Sequence, residues 1–211
     1  MDARRVGVAD DGTRATGARL REIRLAGRGG HGVVTAGELL GQAALLEGRH
    51  AQAIPTFGPE RRGALAQCTL RISREPILLR CSSLQPDVLA IFDPTIWQVA
   101  PVTAGLAEGG TLLVNSTSSA AALEAELRSG RFASGLALSS VRVIAFDATG
   151  IALEALGRPI TNTAMMGALA AVVEEISLEA VEAILREHFQ GLGPANVAAA
   201  RAGHAALSNG A

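Results

Sequence analysis

The sequence predicts an α/β fold: a doubly wound, mostly parallel sheet with an added antiparallel hairpin and a group of C-terminal helices. Three observations carry this reading. Between Glu22 and Phe146, short apolar runs bounded by turn residues alternate with longer segments of helical spacing. Asp87–Phe92 and Thr111–Val114 are apolar almost throughout, as strands covered on both faces are. From Ala148 onward the strand pattern gives way to helical stripes.

The elements follow in order. Residues 1 to about 20 hold Arg4, Arg5, Asp10, Asp11, Arg14 and Arg19 among small residues, and read as a flexible extension. Glu22–Ala26 is the first strand. The cluster Gly27-Arg28-Gly29-Gly30-His31-Gly32 follows it. Val33–Glu47 is a helix, because Val33, Ala36, Leu39, Leu40, Ala43 and Ala44 fall on one face, and Gly48 ends it with left-handed geometry. His50–Ile54 is a second strand, and Pro55–Gly63 reads as a loop. Ala64–Ser73 alternates as a strand, Arg74-Glu75-Pro76 turns, and Ile77–Arg80 returns as a hairpin partner. Asp93-Pro94 closes the 87–92 strand, and Thr95–Glu108 is expected to be helical. Asn115–Ser118 makes a strand-to-helix corner, Ala120–Arg128 is a helix, and Val141–Phe146 is a further strand. Helices are then expected over Ala148–Leu156, Thr161–Ile176 (with Met165, Met166, Leu169, Val172 and Val173 inward), a segment capped by Ser177, and Pro194–Leu207. No internal repeat or linker appears, so residues 21–211 read as one domain.

Composition narrows the chemistry. The chain has 211 residues, 48% hydrophobic and 18% charged, which suits one globular domain. Its 19 basic residues are all arginine. Without lysine there is no Schiff-base chemistry and no phosphate loop of the Gly-Lys-Ser/Thr type. There is no tyrosine, so no Tyr-Lys reductase pair. The two cysteines, Cys68 and Cys81, are too few for an iron–sulfur cluster or a Cys-rich zinc site, and read as buried small residues in a reducing, cytoplasmic setting. His31, His50, His188 and His204 show no metal spacing. A net charge of −1 gives no basic field for nucleic acid. The longest clean apolar run, Ala168–Val173, falls far short of the ~20 residues a membrane span requires.

Two segments carry the candidate site. Gly27-x-Gly29-x-x-Gly32 sits between a strand and a helix, the setting in which glycines let backbone amides approach a phosphate at a helix N-terminus. The dinucleotide fingerprint also wants an acid some 20 residues on, and His50–Pro55 supplies none. The glycines then read as a tight turn, as close packing, or as an anion site served by Arg28 and His31. The second segment is Phe57-Gly58-Pro59-Glu60-Arg61-Arg62-Gly63, whose paired guanidiniums suit phosphate or carboxylate. A solvated turn is the plainer alternative. Both loops, with Asp93 and Asn115, should follow strand ends on one edge of a Rossmann-like sheet. Asp93 otherwise reads as a turn-former, Asn162 as a helix cap, and His188 as a packed histidine on an apolar stripe.

Taken together, Arg28–Ala36, Phe57–Gly63, Leu70–Ser73, Pro86-Asp87 and Asp93-Pro94 resemble, in order and spacing, the gamma subunit or domain of the pyruvate and ketoisovalerate branch of the 2-oxoacid:ferredoxin oxidoreductases. The likeness runs over about residues 22–190. It implies a subunit inactive alone, shaping the site of an oxidative decarboxylation of a 2-oxoacid to acyl-CoA. It implies thiamine diphosphate, Mg and iron–sulfur clusters on partner alpha and beta subunits, with a delta subunit left open, and ferredoxin or a similar acceptor. It also implies coenzyme A near Gly27, Arg28, Gly29, Gly30, His31 and Gly32 and near Phe57, Gly58, Glu60, Arg61, Arg62 and Gly63, with Arg61 and Arg62 left open to a phosphate, the substrate carboxylate or an acidic residue of a partner subunit. The resemblance brings no catalytic residue to this chain and no metal. A homodimer of the isolated chain stays open. So do two alternatives: a free-standing NAD(P)-binding oxidoreductase, and an assembly module without a site.

Overall fold

The computed structural model describes residues 20–57, 64–79, 85–129 and 140–208. The N-terminal extension, Gly58–Gly63, Arg80 and Cys81 lie outside the described residues. One sheet holds six strands: β1 (Arg21–Arg28), β2 (His50–Phe57), β3 (Leu65–Ser73), β4 (Val88–Ile91), β5 (Thr111–Asn115) and β6 (Arg142–Phe146). Their spatial order is β2-β3-β1-β4-β5-β6. β1, β4, β5 and β6 are parallel, and β3 runs antiparallel to both its neighbours, β1 and β2.

The alternation of side chains splits the core in two. Ile23, Leu25, Cys68, Leu70, Ile72, Val88 and Ala90 face α1 (Val33–Leu46), α4 (Asn162–Val172) and α5 (Leu178–Phe189). Ala26, Leu89, Ile91, Leu112 and Val114 face a short 3-10 turn (Pro94–Gln98) and α2 (Ala120–Ser129). Because β4 has both faces covered, all four of its residues are buried, and its sequence shows no polar alternation. Two further helices, α3 (Ala148–Leu156) and α6 (Gly193–Ser208), follow among the described residues. α6 crosses α4 at glycine contacts: a methyl at Gly167 would overlap the Ala200 carbonyl, and one at Gly203 the Ala164 carbonyl.

Two tertiary details bear on stability. α5 and α6 are clasped by Glu182, which accepts from Arg201 at 2.5 and 2.8 Å and from Arg186 at 2.6 Å. The Arg201 hydrogen bonds, more than any other contact, hold its carboxyl below the usual carboxylate range. Cys68 lies fully buried beneath α1, and that burial pushes its thiol up to about 11.

Several expectations are corrected. Thr95–Glu108 is not a helix: the 3-10 turn stops at Gln98, and turns follow. Pro101 lacks an amide donor and constrains Ala100, and Gly105 takes φ +80°, so the segment cannot propagate. Ile77–Leu79 form no strand. β3 already pairs on both edges, so no ladder remains for a return strand. The antiparallel hairpin is instead β2–β3, and Leu79 is tied to β3 by its carbonyl accepting from Arg71 Nη1 at 3.4 Å. β2 runs on through Pro55 to Phe57, where a loop was expected; it is the edge strand, the position in a sheet that tolerates proline. The 161–176 helix ends at Val172. His188 is exposed and meets Phe189 edge-on, with ring centroids 4.7 Å apart.

Candidate functional site

The sheet changes winding direction between β1 and β4. The chain leaving β1 enters α1 on one face and proceeds toward β2; the chain leaving β4 turns onto the opposite face and proceeds to β5. A crevice outside the strand ends forms at such a switch, and open α/β sheets bind ligands there.

The glycine loop stands at this point. Gly27 is buried at the end of β1, where a methyl would come within 3.0 Å of both Phe92 Cβ and Val33 Cγ2, so it permits close strand–helix packing. Gly29 donates its amide to Ala64 at 2.8 Å, and His31 donates to the Arg28 carbonyl at 3.1 Å. Gly30 and Gly32 adopt φ +102° and +71°, a region open to glycine at little cost. A methyl at Gly30 would meet nothing within 4 Å among the described residues. Gly32 is the N-cap of α1 and carries no side-chain cap, leaving the first amides of the helix to other partners.

The second segment begins and ends at the same edge. Phe57 pairs with Ala66, Arg28 pairs with Leu65, and Ala64 receives the Gly29 amide. The two residues that bracket Gly58–Gly63 therefore adjoin the glycine loop, while Gly58, Glu60, Arg61, Arg62 and Gly63 themselves lie outside the described residues.

Two groups that spacing alone did not assign complete the edge. Asn162 is the first residue of α4 and packs on Gly32: a methyl there would lie 2.8 Å from its Nδ2 and 3.0 Å from its Cβ. It does not cap the helix from outside; its Oδ1 accepts from the next amide, Thr163, at 2.9 Å. Thr161 and Thr163 flank it with buried hydroxyls that have no partner among the described residues. Buried hydroxyls normally find one, so this corner is suited to a polar guest. On the other side, Arg28 Nε reaches Asp93 Oδ2 at 3.0 Å, and Arg28 Nη2 reaches Thr95 Oγ1 at 2.8 Å, bridging the ends of β1 and β4. Residues 65 positions apart meet here, which no local pattern reveals.

Asn115 reaches the edge but is fully engaged in structure. Its Nδ2 donates to Phe92 O and Thr149 Oγ1, and its Oδ1 accepts from Thr149 N, closing the β4/β5 gap over the start of α3. The nicotinamide alternative loses its geometry. A dinucleotide fold sets β2 beside β1 so that its tip meets the ribose. Here β3 intervenes, which puts β2 two strand spacings, about 9–10 Å, from β1.

Comparison with known proteins agrees with this layout. The family model described as pyruvate ferredoxin/flavodoxin oxidoreductase matches residues 22–206. The pyruvate/ketoisovalerate oxidoreductases common subunit gamma of Pyrococcus abyssi is 44% identical over 181 residues, covering 85% of this chain and 93% of that one. The pyruvate synthase subunit PorC of Methanothermobacter marburgensis is 42% identical over 181 residues, with the same coverage. The crystal structure of pyruvate oxidoreductase subunit PORC from Thermotoga maritima superposes with a TM-score of 0.74 at 34% identity, covering 88% of this chain and 96% of that one. The chain belongs to the pyruvate ferredoxin/flavodoxin oxidoreductase family.

Proposed function

We infer that this chain is the gamma subunit of a multi-subunit 2-oxoacid oxidoreductase acting on pyruvate or 2-ketoisovalerate, and that its β1/β4 crevice forms the coenzyme A side of the complex's active site. The overall conversion takes a 2-oxoacid and coenzyme A to acyl-CoA, CO₂ and a proton, and its electrons pass to ferredoxin or a similar acceptor. Thiamine diphosphate, Mg and the iron–sulfur clusters belong to alpha and beta subunits in this reading; a chain with two cysteines and no lysine is equipped for neither cluster nor Schiff-base chemistry.

The observation that carries the reading is the convergence at the winding switch. Positive-φ backbone at Gly30, uncapped amides at the start of α1, the Asn162 corner with its unpartnered hydroxyls, and both ends of the 58–63 segment share one edge. Such a set suits the binding and orienting of a phosphorylated, polar ligand through amides and hydroxyls.

The test uses the assembled complex. Arg61→Ala with Arg62→Ala should raise the KM for coenzyme A or lower turnover while the subunits still assemble. Lost assembly with normal kinetics in whatever complex forms would instead assign the chain a purely scaffolding role. Binding of NAD(P)H by the isolated chain would support the free-standing dehydrogenase and end this proposal.

A further inference from the structure

The pair that bridges the switch is built in tiers. Arg28 is the last residue of β1. Its Nε donates to Asp93 Oδ2 at 3.0 Å and to Thr95 Oγ1 at 3.1 Å, and its Nη2 donates to the same hydroxyl at 2.8 Å. Asp93 is itself fixed, because its Oδ1 accepts from Thr95 N at 2.9 Å and from the Thr95 hydroxyl at 2.7 Å. Pro94, between them, sets its own φ and holds Asp93 extended. Bonds from two nitrogens on one side of a planar guanidinium fix both its position and the direction of its plane. The arginine is only partly buried, with a side-chain exposure of 32%. Its backbone carbonyl also closes the turn that carries His31.

We propose that Asp93 and Thr95 are positioning residues for coenzyme A: through Arg28 they set the mouth of the β1/β4 crevice and the turn that leads into Gly29–Gly32. This rests on the reading of that crevice as the coenzyme A wall. A turn closed on itself by Asp93 and Thr95 needs no arginine, since the aspartate already caps Thr95. The three added bonds from a residue on another strand tie the β4 exit to the glycine loop. Ligand contacts made by preset groups cost less ordering on binding, so releasing Arg28 weakens affinity before it touches chemistry.

The experiment measures steady-state kinetics of the complex assembled with its partner subunits. Thr95→Val keeps the shape of the side chain and removes the hydroxyl. It should raise the KM for coenzyme A by about three- to tenfold, the worth of one ordinary hydrogen bond, with the KM for the 2-oxoacid unmoved and kcat changed far less. Thr95→Ser should restore it. Asp93→Asn should act in the same direction. In an Arg28→Ala background, Thr95→Val should add nothing further. If Arg28→Ala raises the KM and Thr95→Val does not, or if Thr95→Val acts equally in both backgrounds, the positioning role is wrong while the crevice reading stands. If Arg28→Ala leaves the KM for coenzyme A at its wild-type value, Arg28 plays no part in coenzyme A binding and the inference fails. Thermal unfolding of the isolated full chain separates either result from simple destabilisation, which would lower Tm without the split between the two KM values.

Discussion

Replacing Gly32 by alanine probes the join between the glycine loop and α4. Two terms oppose the substitution. The first is backbone: at φ +71° an L-residue costs about 1–2 kcal/mol. The second is contact: the new methyl would stand 2.8 Å from Asn162 Nδ2 and 3.0 Å from its Cβ and Cγ. Asn162 is 5% exposed, and its oxygen is held by the Thr163 amide, so it can yield only by giving up that bond and repacking. Such overpacking costs ~1–3 kcal/mol. Gly48 provides an internal control. Its φ of +69° is nearly the same, and a methyl there meets nothing within 4 Å among the described residues. Gly48→Ala should therefore lose only the backbone term. The difference between the two variants isolates the Asn162 contact at roughly 1–3 kcal/mol, or about 2–12 °C in Tm for a chain of this size. Thermal and urea unfolding of the full chain, followed by the fluorescence of its single tryptophan, Trp97, would measure it. Equal losses within about 0.5 kcal/mol, the ordinary scatter of additivity, would refute the packing of Gly32 on Asn162 and, with it, the place of α4 in the site.

Other consequences follow from the packing. Gly203→Ala gains up to ~1 kcal/mol of helix propensity but forces a methyl onto the Ala164 carbonyl, so it should lower Tm; a Tm at or above wild type would contradict the α4–α6 crossing. Glu182 binds its proton more weakly folded than unfolded, so its contribution is present above the ordinary carboxylate pKa and is lost as pH falls through its lowered value. Glu182→Gln should therefore reduce stability at neutral pH and narrow its gap to wild type below about pH 4. Cys68 has a raised pKa, so its stabilising share is whole below the free thiol value and disappears as pH rises toward about 11. In a Cys81→Ser variant at pH 8, a thiol reagent should modify Cys68 only after denaturant is added, and fast labelling of the native chain would show that the strand is not covered.

The elements that could be read from sequence are those whose identity depends on neighbours along the chain. The apolar run of β4, the stripe of α1 ending at Gly48 and the Ser177 cap are local signals, and each stands where the pattern put it. One failure overlooked a local signal, and the others involve information held elsewhere. Thr95–Glu108 has helical composition, yet Pro101 and Gly105 decide its backbone. Whether Ile77–Leu79 could pair depended on β1 having already taken the second edge of β3, a fact spread over residues 21–73. In the site, the glycine loop was legible because its geometry is written in consecutive residues. Asn162 and Thr95 were not, since each earns its place by contact with a residue far along the chain.

The place of β3 also sets the order in which this protein can be made. β1 gains hydrogen-bonded neighbours only when residues 65–73 and 88–91 have been synthesised, because the strand that emerges next after it, β2, lies one position too far away to pair with it. A nascent chain ending near residue 57 thus exposes a bare strand and an unburied helix face, with no supersecondary unit able to close. β3 is the strand that joins β1 and β2 into one sheet, and unpaired strand edges of the kind left before it is made are what expose incomplete chains to aggregation.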